Sequence, residues 1–74
     1  MFIKSFLLFT QDSKANDVSF QLNKRRGVES WPSDNKDVVV MVTDFQDQKS
    51  ENELLEDLKK VREILSVSLV SAYS

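Results

Sequence analysis

Two stretches of this sequence, residues 2–10 and 37–43, carry apolar side chains at successive as well as alternate positions. A strand with water on one side alternates apolar and polar residues, whereas one that is apolar on both sides has both faces covered or in contact. Phe2-Ile3-Lys4-Ser5-Phe6-Leu7-Leu8-Phe9-Thr10 and Asp37-Val38-Val39-Val40-Met41-Val42-Thr43 are therefore expected as the two central strands of one sheet. A chain of 74 residues has room for that sheet and one layer of helix, because a domain this small buries only about 60 % of the surface its unfolded chain exposes. One domain spanning residues 1–74 is the expectation.

The intervening segments supply the helices. Asp12 or Ser13 can cap a helix on which Ala15, Val18 and Leu22 recur at helical spacing, ending near Arg25. Gly27, the single glycine, suits the left-handed position that closes a helix. A short edge strand over 28–31 follows, broken by Pro32 and the turn residues Ser33-Asp34-Asn35-Lys36. After a polar loop over 44–49, Ser50-Glu51-Asn52-Glu53 has the form of a capping box and places a helix start at Ser50. Leu54, Leu58, Val61 and Leu65 form its apolar stripe. From about Leu65 the pattern becomes strict alternation, Val67 and Leu69 against Ser66 and Ser68, as in a half-buried strand.

The order βαββαβ, combined with the right-handed crossover rule, puts both helices on one face of a four-stranded antiparallel sheet. This is the α+β, ferredoxin-like arrangement. Its first and third strands are central, so the two doubly apolar strands lie side by side with one face uncovered by helices. That open apolar face is the main functional feature of the sequence.

Most chemistry is closed to this chain. Without cysteine or histidine it has no thiolate, no Cys-based zinc site and no neutral-pH imidazole base. The carboxylates Asp44, Asp47, Glu51 and Glu53 lack a partner group in a pocket and fit a solvated loop and helix N-terminus. The 44–49 segment has no glycine and does not follow the EF-hand pattern. No enzyme activity, cofactor or metal is implied. A net charge of −2 with interspersed signs gives no footprint for nucleic acid or an anionic membrane. The apolar start lacks a basic leader and a small-residue cleavage site, and no run nears the roughly 20 apolar residues that span a bilayer. A cytoplasmic protein, monomeric or weakly dimeric, is expected.

The chain resembles the NapD family along nearly its whole length. The resemblance is carried by Ser5-Phe6-Leu7-Leu8, by Asp17-Val18-Ser19-Phe20-Gln21-Leu22-Asn23, by Gly27-Val28-Glu29, by Val38-Val39-Val40, and most distinctively by Leu65-Ser66-Val67-Ser68-Leu69-Val70. Two features depart from it: Arg26 stands where a proline usually precedes the glycine, and no Gly-Val turn interrupts Val61-Arg62-Glu63-Ile64-Leu65. The resemblance implies a ferredoxin-like, cytoplasmic chaperone of the periplasmic nitrate reductase catalytic subunit. Such a chaperone binds the enzyme's twin-arginine signal peptide and delays export until the molybdenum cofactor is inserted. An apolar face with nearby acids suits a peptide that is an apolar helix with two arginines.

The last strand sets the phase of that face. With Val67 and Leu69 toward the helices, Ser66, Ser68 and Val70 point to the open side, joined by Phe6, Leu8, Val40 and Val42. The opposite phase of the central strands is the alternative. Phe20 and Trp31 are expected to be partly exposed. A different class of function, a small-molecule sensing or dimerising module of ACT-like topology, would use the same face as an oligomer interface.

Overall fold

A computed structural model describes residues 2–35 and 37–73; Met1, Lys36 and Ser74 lie outside the described residues, and with Lys36 the last position of the expected 33–36 turn. The elements run β1 (Phe2–Thr10), α1 (Ala15–Leu22), β2 (Val28–Pro32), β3 (Val38–Phe45), α2 (Gln48–Lys59) and β4 (Ile64–Tyr73). The strands form one antiparallel sheet in the order β2-β3-β1-β4, with β1 and β3 central. Phe6 and Leu8 of β1 and Val39 and Met41 of β3 join Ala15, Val18 and Leu22 of α1 and Leu54 and Leu58 of α2 in a single core. Leu8, Val39 and Met41 are wholly buried; a fully buried side chain of this kind contributes about 1.5–3 kcal/mol relative to exposure.

Both helices begin elsewhere than at the expected caps. Lys14, with no side-chain cap bond, precedes α1. Ser13 instead adopts a left-handed φ of 61° and donates its amide to Asp37 Oδ1 at 3.1 Å, so this residue ties the β1–α1 loop to the entry of β3. At α2 the cap is Asp47, whose carboxylate accepts the Ser50 amide at 2.7 Å. Ser50 thus donates to the cap and does not form it. Asp47 is the better acceptor because its charge faces the positive end of the helix. Glu51, in the first turn of α2, is 3 % exposed; it accepts hydrogen bonds from Lys4 Nζ at 2.8 Å and from the Gln48 side-chain Nε2.

The helix ends differ too. α1 stops at Leu22, and Gly27 is left-handed (φ 79°) at the entrance to β2, several residues beyond the helix. A Cβ on Gly27 would lie 2.9 Å from the Asp44 carbonyl oxygen and 3.1 Å from the Phe45 ring. α2 ends at Lys59, and a turn closed by Ile64 N–H to Val61 O at 3.2 Å leads straight into β4 without glycine. Leu65 accordingly leaves the helical stripe; it stands on β4 and is exposed.

β2 is clamped to α1. The Ser30 amide donates to Asn23 Oδ1 at 2.7 Å, and Asn23 Nδ2 donates to Ser30 O at 3.0 Å. The Ser30 hydroxyl, buried, donates to the Ser19 carbonyl at 3.1 Å. β4, at the other edge, pairs with β1 through two register shifts, between Ser5 and Phe6 and between Phe9 and Thr10.

Gly27→Ala combines a left-handed φ with a backbone collision, and is expected to destabilise by more than about 1 kcal/mol in urea unfolding. The Asp47 pKa is lowered chiefly by the Ser50 backbone bond and further by the Ser50 hydroxyl. A folded-state value below the unfolded one, about 3.9, gives stability that is present above that pH and lost as pH falls through the folded value. The melting-temperature deficit of Asp47→Ala at pH 7 should therefore shrink as pH is lowered below about 4.

Candidate functional site

Residues paired across a sheet share a face, so the register assigns each side chain. Phe6 pairs with Met41 and Leu8 with Val39; all four belong to the helix-side core. Phe6 and Leu8, expected on the open face, are 4 % and 0 % exposed. They lie under the helices, and this corrects the phase expected for β1. The opposite set, Ser5, Leu7 and Phe9, faces outward.

Val40 and Val42 do stand on the open face, where Leu7 pairs with Val40 and Ser5 with Val42. Trp31 pairs with Val40 from β2, and Ser68 with Leu7 from β4. Trp31, Val40, Leu7 and Ser68 thus form one row across all four strands. A second row, about 7 Å further along the strands, is Glu29, Val42, Ser5 and Ser71. On the other side lie Val38, Phe9 and Ser66. Val70 is unpaired at the first of the two β4 register shifts and 59 % exposed. Of the side chains expected here, Val40, Val42, Ser66 and Ser68 come together, Val70 stands at their edge, and Phe6 and Leu8 are absent.

The surface so built is mainly apolar at its centre, with Phe9 40 % and Trp31 46 % exposed. Serines line it along β4, and two carboxylates, Glu29 and Asp44, lie at one end and are exposed. Its central strands are bonded on both sides, so a partner must dock on side chains. A row of Leu, Val and Trp can bury the apolar surface of a partner. Among the described residues no group of His, Cys, Asp and Glu is arranged to hold a metal ion.

Leu7, Phe9, Trp31 and Glu29 went unrecognised as a set because β1 is apolar in both phases. The one charge within it points the wrong way. Lys4 shares the parity of Phe6 and Leu8 and marks that face as wet, yet its amine turns to the buried Glu51.

Helices sit away from this surface, and none in the described residues is long and apolar enough to cross a membrane. The model of the family described as "NapD protein" matches residues 1–74. The solution structure of the E. coli Tat proofreading chaperone protein NapD superposes with a TM-score of 0.81 at 25 % identity, covering 99 % of this chain and 79 % of that one. No curated protein sequence matched the chain.

The two phases of β1 are separable by mutation. Leu8→Ala is expected to cost about 2–5 kcal/mol in denaturant unfolding, as for a buried leucine, whereas Phe9→Ser should cost a fraction of that. Equal losses at both positions would contradict the register.

Proposed function

The chain belongs to the NapD family, and on that premise we propose that it is a cytoplasmic chaperone for the twin-arginine signal peptide of the periplasmic nitrate reductase catalytic subunit. By holding the peptide it keeps the enzyme from export until the cofactor is in place. The likeness to a solved Tat proofreading chaperone supports this reading. The observation that carries it is the sheet face built on Trp31, Val40 and Leu7, apolar and uncovered by either helix.

A signal peptide consists of a basic segment followed by 7–15 apolar residues. Free in water, that apolar segment exposes surface whose burial is worth about 25 cal/mol per Å². The open face offers a matching apolar surface on a preformed sheet, so little ordering of the protein opposes association. Occupancy alone then produces the delay. A peptide seated on Leu7 and Val40 is withheld from other receptors for as long as it stays bound, and release follows from the dissociation rate.

Trp31 is the single tryptophan and stands on this face, so its emission reports occupancy directly. Titration with a synthetic signal peptide of the cognate enzyme should shift Trp31 emission to shorter wavelength and saturate. Leu7→Asp and Val40→Asp, each shown to be folded by circular dichroism, should weaken binding at least about tenfold, since a charge is then buried without a partner. Unchanged affinity in both folded variants would remove the sheet face from the reading.

A further inference from the structure

The open face is asymmetric in charge. Glu29 lies opposite Val42 on β3, and Asp44 is the next outward position on the same strand, opposite Ile3 of β1. The Asp44 amide donates to the Gly27 carbonyl at 2.8 Å, which holds the backbone of β2 and β3 together at this end. Both side chains are exposed, and among the described residues neither takes part in an ion pair. The remaining outward positions of β1, β2 and β3 are apolar or serine, and among the described residues no outward position of the sheet is basic. Lys4, the one basic residue of β1, is turned to the helix side and bound by Glu51.

The dimensions of the face limit what can cover it. From the Ile3 and Asp44 pair to the Phe9 and Val38 pair is six residues along β1, about 20 Å at the rise of a strand. Three interstrand gaps of about 4.8 Å make it about 14 Å wide. One helix, about 10–12 Å across, fills that width, and about 13 residues at 1.5 Å each fill the length. A purely apolar helix of that size would cover two carboxylates and leave them desolvated without a partner, an unfavourable outcome. The face therefore selects an apolar helix that brings cations to one end only.

We propose that Glu29 and Asp44 receive the paired guanidinium groups at the amino-terminal end of the signal peptide. The peptide helix then lies in one direction, with its apolar segment running from Val42 toward Phe9 and Val38. This inference rests on the signal-peptide reading above and adds the polarity of binding and the residues that read the arginines. Guanidinium groups suit the site because each can donate two parallel hydrogen bonds to one carboxylate. The positive amino-terminal end of the bound helix faces the same two acids.

The test compares a synthetic signal peptide containing the arginine pair with the same peptide carrying glutamine at both positions, each titrated calorimetrically at low salt. The wild type should prefer the arginine peptide by about tenfold or more. Glu29→Gln/Asp44→Asn, isosteric and at exposed positions, should bind both peptides alike, near the wild-type affinity for the glutamine peptide. A spin label at the peptide amino terminus should broaden the amide resonances of Glu29 and Asp44 before those of Phe9 and Val38. Full discrimination retained by the double variant, or broadening first at Phe9 and Val38, would overturn the proposal. Equal wild-type binding of both peptides would overturn it alone and leave the chaperone reading standing on apolar contact. Binding of neither would overturn both.

Discussion

The ladder between β1 and β3 is the constraint on which the rest of this structure depends. Because paired residues share a face, fixing Phe6 opposite Met41 and Leu8 opposite Val39 commits those four to the helices and sends Leu7 and Val40 the other way. Core and candidate site are thus two sides of one decision. A slip of a single residue in either strand would exchange them. The helices then need only one apolar stripe each, and Val18 and Leu22 on α1 and Leu54 and Leu58 on α2 provide it.

Much of the architecture was legible because it rests on periodicity. The central strands, both helices, the final strand and their order followed from where apolar residues recur, and the sheet order β2-β3-β1-β4 matches that expectation. The caps were less legible, since Asp47 and Ser50 both offer acceptor side chains near the start of α2 and the choice is made by local geometry. The phase of β1 was not legible at all. Phe6, Leu7, Leu8 and Phe9 are apolar without interruption, and only pairing with β3 and β4 tells the two sets apart. Lys4 could have served as a marker only if its partner, Glu51, distant in sequence but adjacent in space, were known.

The contrast between the two faces also explains how so small a protein tolerates an uncovered apolar surface. Stability comes from the helix side, where the side chains are close-packed and polar groups such as Ser19, Ser30 and Asn23 satisfy one another. The outer side is then free to be shaped for contact, with Leu7, Val40 and Val42 half-buried by their neighbours on the sheet. In the function proposed above, one side folds the chain and the other meets the peptide.

The two register shifts in β4 bear on solubility. Residues 64–73 contain no charged side chain, and β4 forms an edge of the sheet, the circumstance in which strands of separate molecules join edge to edge and precipitate. No lysine or proline guards this border. The irregularities beside Ser5 and Phe9 bend and twist the strand out of the flat form that such stacking requires. Deleting Val70 would straighten the first of them and so weaken the chain's own defence against aggregation while leaving every core residue in place.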